Sequence, residues 1–215
     1  MKTLILNSLA LFLAFSLVKA NNEKYIKAME ETLMQLANIQ ASFQLNDWQS
    51  VANHFERIGK VETKEWLPSY YVAYCYTRMS YIAKDSDQKD KYVELAEDFC
   101  NSALKISKND ELYALRAMIA QANMAVNPTI RWMKQGSVFS ENLENAKRLN
   151  PNNPRIYYLE GNSIFYKPET FGGGAKNACP LYKKAIEKFA TFTPASSISP
   201  NWGREPTEQM LKQCN

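Results

Sequence analysis

The densest run of glycine, Gly172 to Gly174, stands in the stretch PETFGGGAKNACP. Such a run can present backbone amides to a phosphate, or it can simply reverse the chain. A phosphate loop follows a strand and precedes Lys-Ser or Lys-Thr, whereas here Lys176-Asn177 follows and no strand pattern precedes. The sequence therefore favours a turn between two helices, with Asn177 as the cap and Pro180 in the first turn of the second helix. An anion bound at that helix start is the alternative.

Catalytic and metal-binding signals are sparse. His54 is the single histidine, so no histidine pair, His-Cys cluster or Ser-His-Asp set can be assembled. Carboxylates such as Glu30, Glu31 and Glu94 fall on charged helical faces, where solvated ion pairs are the ordinary arrangement. The sequence predicts a protein that is not an enzyme and that has no cofactor or metal.

The four cysteines, Cys75, Cys100, Cys179 and Cys214, form an even set. Cys75 and Cys100 fall on apolar helical faces, which favours buried thiols over a bond between them. Cys179 opens the last paired helix and Cys214 ends the final one, so an antiparallel fold-back would bring them together. We expect a disulfide between these two, closing a loop of about 36 residues. Buried free thiols are the alternative.

The first twenty residues have the layout of a cleavable secretory signal. Lys2 is followed by an almost wholly apolar run from Leu4 to Val18, and Ala20 ends the segment. The run is shorter than the roughly 20 apolar residues that a spanning helix needs. The sequence predicts a signal peptide at 1–20, one domain at 21–215, a periplasmic or secreted location, and no integral membrane span after cleavage.

The charge balance gives no indication of nucleic-acid binding. The whole chain carries a net charge of +4, which falls to +2 once Lys2 and Lys19 leave with the signal. No basic stripe and no interleaving of basic and aromatic residues is present, so the charges are those of solvated helix faces. We expect no nucleic-acid partner.

Apolar residues recur at helical spacing, and strand-like alternation is absent. In 90–106, for example, Tyr92, Ala96, Phe99 and Ala103 lie three or four residues apart, with charged residues opposite. The predicted helices span 24–39, 45–60, 67–83, 90–106, 111–125, 138–149, 154–166, 178–191 and 204–213. The pattern predicts an all-α fold.

These helices repeat in pairs. Tyr70, Ala114 and Tyr157 each stand eleven residues after a small residue of the preceding helix. The segment NAKRLNPNNPRIYYLEGNSIF, residues 145–165, resembles a junction between tetratricopeptide repeats. The region Asn153 to Cys214 also resembles secreted bacterial proteins of that type, with NPR, YYLEG, FGGG and a later P.WG.

The resemblance implies helical hairpins stacked in a right-handed superhelix, with a C-terminal capping helix. It also implies that Pro200, Trp202 and Gly203 seat that cap, the indole covering the end of the array. In such arrays the first helix of each pair lines a concave groove. The groove residues expected from this resemblance are Tyr71, Arg78, Asn123, Arg155, Tyr158, Asn162 and Tyr166. A position in the core is the alternative for each aromatic.

The function expected from these features is non-catalytic binding. The leading expectation is an adaptor of the periplasm or secreted space that holds a protein or peptide segment in the groove. Arg155 and Asn162 resemble part of the clamp with which some arrays bind a peptide's carboxylate. The alternative is a small-molecule receptor, resembling tetratricopeptide subunits of solute transporters, which would need an enclosed pocket with a few polar groups.

Overall fold

The computed structural model describes residues 22–214, and this range is all-α, as the periodicity predicted. Helix α1 covers 22–38. The helices that follow are α2 Leu45–Val61, α3 Leu67–Ile82, α4 Ser86–Ile106, α5 Asp110–Val126, α6 Pro128–Leu149, α7 Pro154–Phe165, α8 Ala175–Thr191 and α9 Arg204–Lys212. The predicted signal peptide and its cleavage site lie outside the described residues.

Short polar connections set where the helices begin. The side chains of Asp85, Asn109, Asn127 and Asn153 each accept a hydrogen bond from a backbone amide in the first turn of the following helix. Such caps satisfy amides that have no partner within the helix. Proline follows directly after Asn127 and Asn153, where its missing N–H costs nothing.

The helices form two layers. Helices α3, α5 and α7 contact one another in order and make the inner layer, while α4, α6 and α8 each pack against the inner helix that precedes them. Because the connections between contacting neighbours are short, successive helices run antiparallel. Helix α9 packs on α8 at the end of the array. This is the stacking of helical hairpins; the right-handed superhelix and the tetratricopeptide assignment stay predictions.

Antiparallel order gathers the connections at two ends of the molecule. We name the first the open end; it carries the segments 39–44, 83–85, 127 and 166–174. We name the second the strapped end; it carries 62–66, 107–109, 150–153 and 192–203. An ion pair between Arg131 and Asp90 joins α6 to α4 at the open end. At the strapped end, Asn150 and Asn153 both donate to Asp110.

Helix α6 begins ten residues earlier than the sequence predicted. The apolar stripe was found only from 138 onward, whereas the helix starts at Pro128. The apolar stripe does not extend back to the start of the helix because Ile130, Trp132 and Met133 are exposed and pack against no core. A hydrophobic pattern reports burial, so it cannot find a helical turn that buries nothing.

The glycine run is a turn between α7 and α8, but its details differ from the prediction. Gly172 and Gly174 have φ of 80° and 87°, a left-handed conformation that favours glycine. Helix α8 begins at Ala175 with Gly174 as its N-cap, so Pro180 lies within the helix. Asn177 is not the cap; its side chain donates to the Gly172 and Gly173 carbonyls instead.

A small residue lets α7 and α8 approach closely. A Cβ atom on Gly161 would lie 2.6 Å from Cε1 of Tyr182, a ring that is fully buried. We expect Gly161→Ala to destabilise the fold by about 1–3 kcal/mol, because overpacking outweighs the better helix propensity of alanine. Urea unfolding measures this change.

Gly136→Ala is the matched control, because nothing lies within 4 Å of a Cβ at that helical position. It should stabilise the protein by about 0.5–1 kcal/mol. A Gly161→Ala variant as stable as the wild type would show that the contact between α7 and α8 is loose.

Candidate binding site on the inner helix layer

Two stripes of large side chains face each other across the inner layer. They share helical spacing of three or four residues, which puts each stripe on one face of its helix. On α3 the stripe is Tyr70, Tyr74, Arg78 and Tyr81; on α7 it is Arg155, Tyr158, Asn162 and Tyr166. Trp202 lies between the stripes, with its ring centroid 5.4 Å from that of Tyr74 and 6.4 Å from that of Tyr158. The indole therefore fills the inner layer rather than covering the end of the array, which corrects the prediction for this residue.

The strap, residues 192–203, occupies the half of the inner layer nearest the strapped end. The Tyr71 hydroxyl donates to the Ile198 carbonyl at 2.9 Å, and Arg155 donates to the Pro200 carbonyl at 2.6 Å. The Trp202 indole N–H donates to the Tyr70 hydroxyl at 2.7 Å. A segment of this chain that includes a turn at Ser196 to Ser199 thus occupies part of the groove that the sequence predicted for a peptide ligand.

Arg155 anchors the strap from the interior. Its side chain is wholly buried and pairs with Glu111 of α5 at 2.9 Å. The guanidinium also lies over the rings of Phe192 and Trp202, at 4.7 Å and 5.2 Å from their centroids. Burial raises the pKa of Glu111 to about 7, against the opposing effect of the Arg155 charge.

Three of the predicted groove residues do not line an open surface, and the prediction is corrected for them. Tyr71 and Arg155 are buried because the strap covers them. Asn123 bonds Glu97 of α4 and Arg131 of α6, so it belongs to the junction of α5 with the outer helices. The expected carboxylate clamp fails for the same reason, since Arg155 already has Glu111 as its partner.

The other four predicted residues lie at the uncovered part of the layer. We name this the open half, defined by Arg78, Tyr81, Tyr158, Asn162 and Tyr166. Tyr166 is 75% exposed and Tyr81 is 44% exposed, while Arg78, Tyr158 and Asn162 are partly buried. The sequence analysis missed Tyr81 as a site residue, although its position three residues after Arg78 puts it on the same stripe.

Arg78 is the cation of the open half. Its Nε is buried and has no hydrogen-bond partner within the described residues. Its guanidinium lies over the Trp48 ring, 5.3 Å from the centroid. The Tyr81 hydroxyl donates to the Met118 carbonyl at 3.5 Å. Burial raises the pKa of Tyr158, and the Asn162 hydrogen bond and the Arg78 charge offset this only in part. The open half therefore presents neutral tyrosines beside a cation with unused hydrogen-bonding capacity.

Metal-ligating groups do not converge in the part of the chain that the structure describes. Residues 22–214 contain no cluster of three or more His, Cys, Asp or Glu side chains able to hold a metal ion. His54 lies on α2, where its Nδ1 is 2.7 Å from Oε1 of Gln35. Among the same residues, no helix has the length and apolar character to cross a bilayer.

The structure joins Cys179 and Cys214 in a disulfide, with their Cα atoms 5.8 Å apart. The bond ties the second turn of α8 to the residues just after α9. Cys75 and Cys100 are free and buried. Burial raises the pKa of the Cys100 thiol to about 12 and that of Cys75 further, so neither is a reactive thiolate at neutral pH.

Comparison with known proteins gives one informative similarity. No protein-family model and no curated protein matches the chain. Among solved structures, the HusA haemophore from Porphyromonas gingivalis is 31% identical in sequence and superposes with a TM-score of 0.77. The match covers 88% of this chain and 92% of that chain. A haemophore is a binding protein rather than an enzyme, in agreement with the non-catalytic expectation.

The Glu111 carboxyl makes stability depend on pH. A carboxyl whose pKa rises on folding from 4.5 to about 7 stabilises the fold only at low pH, and this contribution is lost as pH rises through about 7. We expect the wild type to lose about 2–3 kcal/mol between pH 5 and pH 8.5 relative to Glu111→Gln. Urea unfolding at both pH values measures the difference. The control is Glu208→Gln, at an exposed ion pair with Arg204, and equal pH profiles for all three proteins would contradict the assignment.

The disulfide should pin the end of the chain. On the chain-entropy model, a bond across a separation of 35 residues contributes about 3–4 kcal/mol. We expect Cys179→Ser with Cys214→Ser to lower the free energy of unfolding by this amount. Non-reducing peptide mapping of the exported protein checks the pairing, and Cys214 recovered as a free thiol would contradict it.

Proposed function

This chain belongs to the family of the HusA haemophore, and we propose that it binds haem or a related tetrapyrrole in the open half of its inner layer. This is the small-molecule alternative of the sequence analysis, made specific by the family. The family also supports export from the cytoplasm, in line with the predicted signal peptide and the periplasmic or secreted location.

The chemistry of the open half suits a flat ligand with carboxylate groups. Tetrapyrroles have two broad apolar faces, which stack on aromatic rings. Tyr158 offers such a ring within the layer, and Tyr81 and Tyr166 offer rings that are exposed in the unliganded chain. A guanidinium pairs with a carboxylate through two parallel hydrogen bonds, and Arg78 is placed to do so.

The observation that carries the proposal is the contrast between the two arginines of the stripes. Both terminal nitrogens of the Arg155 guanidinium are bonded within the chain, one to the Glu111 carboxylate and one to the Pro200 carbonyl, and two rings stack on it; its Nε lacks an acceptor among the described residues. The Arg78 guanidinium has a stacked ring but no ion pair and no hydrogen-bond acceptor within residues 22–214, even for its terminal nitrogens. A ligand carboxylate would supply that acceptor.

We expect binding to depend on the ring faces and carboxylates of the ligand rather than on a bond to iron. The contacts that the open half offers are aromatic faces, the Asn162 amide and the Arg78 guanidinium, none of which needs the metal. His54, the single histidine, lies on α2 outside the open half and bonds Gln35 of α1. Metal-free protoporphyrin should therefore bind about as tightly as haem.

Two rival sites have less support. A protein segment along the whole groove would have to displace the strap and its three hydrogen bonds. A cleft of about 230 Å³ between α4, α5 and α6 is lined mainly by polar residues, Glu97, Arg116 and Lys134 among them, and contains no aromatic ring on which a tetrapyrrole could stack.

Arg78→Met tests the site. Charge-assisted hydrogen bonds contribute about 1.5–3 kcal/mol each, so haem and metal-free protoporphyrin should both bind the variant at least about tenfold more weakly. Absorbance and fluorescence titrations measure the dissociation constants. Arg116→Met, at an exposed arginine of the polar cleft, is the control and should bind within about twofold of the wild type.

A porphyrin without carboxylates separates ring stacking from the pairing of Arg78 with a carboxylate. It should bind Arg78→Met and the wild type with equal affinity. No tetrapyrrole binding by the wild type would overturn the proposed function. Equal losses in Arg78→Met and Arg116→Met would overturn the proposed site.

A further inference from the structure

Exposed aromatic side chains gather at the open end. Five aromatic residues are exposed within residues 22–214: Phe43, Tyr81, Trp132, Tyr166 and Phe171. All five lie in, or within two turns of, connections at the open end, and Ile130 and Met133 accompany them. At the strapped end, the exposed large apolar side chains are the aliphatic residues Val61, Ile106 and Leu149.

Two of these aromatics are held outward by bonded neighbours. Arg131, next to Trp132, pairs with Asp90 and donates to Asn123 at 3.0 Å. Next to Phe43, the Ser42 hydroxyl donates to Asp47 at 2.5 Å and the Ser42 carbonyl accepts from the Trp48 indole at 3.0 Å. The backbone is thus fixed on the side facing the protein, while the rings of Phe43 and Trp132 face solvent.

Charged side chains separate these aromatics, with lysines in slight excess over acids among those that make no ion pair in residues 22–214. Five lysines of this end make no ion pair within the described residues: Lys84, Lys89, Lys134, Lys167 and Lys176. Of the acids, Asp90 pairs with Arg131, while Asp47, Asp85, Asp87 and Glu169 keep their negative charge without an ion pair in this part of the chain, so these lysines exceed the acids by one. Aromatic side chains interspersed with lysine are typical of surfaces that enter the headgroup region of an anionic bilayer.

We propose that the open end docks on an anionic lipid bilayer, with Phe43, Trp132 and Phe171 entering the headgroup region. This docking would give access to the ligand, and that part of the inference rests on the proposed function. A tetrapyrrole is flat and largely apolar, so it partitions into lipid. The open half lies at the same end as the aromatic side chains, because Tyr81 ends the stripe of α3 and Tyr166 directly follows α7. Docking would place the mouth of the site against the phase that holds the cargo.

Vesicle binding by the unliganded, signal-free protein tests the proposal. We expect it to sediment with vesicles of phosphatidylcholine and phosphatidylglycerol at 3:1, and at least about threefold less with phosphatidylcholine alone. Trp132 is exposed, Trp48 is fully buried, and Trp66 and Trp202 are partly buried, so insertion should shift the tryptophan emission to shorter wavelength through Trp132.

The triple variant Phe43→Ser, Trp132→Ser, Phe171→Ser should bind the anionic vesicles at least about tenfold more weakly. The matched control is Val61→Ser, Ile106→Ser, Leu149→Ser, which removes exposed apolar side chains from the strapped end and should bind like the wild type. Circular dichroism and urea unfolding verify that both variants are folded.

Three results would overturn the proposal: no vesicle binding by the wild type, equal binding by both triple variants, or equal binding to neutral and anionic vesicles. A partner protein captured only through the open end, without vesicle binding, would also overturn it. A separate haem titration without vesicles keeps the proposed function distinct. The Phe43, Trp132, Phe171 variant should bind haem within about twofold of the wild type, because these residues lie outside the open half.

Discussion

The buried ion pair between Glu111 and Arg155 is the interaction on which the inner layer depends. It joins α5 to α7, and Arg155 extends it to the strap through the Pro200 carbonyl. The stacked Trp202 ring is then fixed between the two stripes. Burial of the Glu111 carboxylate costs more than its attraction to Arg155 offsets, as the raised pKa of Glu111 indicates, so the contact fixes the geometry of the layer rather than adding stability at neutral pH. This contact therefore sets the position of the Trp202 ring, which separates the rest of the strap from the open half.

This anchoring divides one continuous groove into two unlike halves. Near the strapped end, hydroxyl, indole and guanidinium groups are all bonded within the chain, and the strap excludes a ligand. In the open half, rings are uncovered and Arg78 keeps an unused donor. In the proposed function, the groove that the sequence predicted for a peptide is thereby shortened to a site for a compact, flat molecule. The family relationship to a haemophore agrees with that change of ligand class.

Local features of the structure were predictable and long-range ones were not. The apolar stripes located the nine helices of residues 22–214, since burial on one face leaves a period in the sequence. They failed for the start of α6, where Ile130 and Trp132 bury nothing. Tyr71 and Arg155 were assigned to the groove because their spacing matches it, but the residues that cover them are 127 and 45 positions away. No local pattern encodes such a contact. The role of Trp202 was missed for the same reason, since its partner Tyr70 lies 132 positions away.

The most direct test of the account is to map metal-free protoporphyrin on the protein by nuclear magnetic resonance, since the diamagnetic ligand leaves signals near it observable. The account predicts shift changes at Arg78, Tyr81, Tyr158 and Tyr166 on titration, with the signals of Ile198 and Lys134 unmoved. Changes centred on the strap, or on the polar cleft that includes Lys134, would contradict the placement of the ligand in the open half.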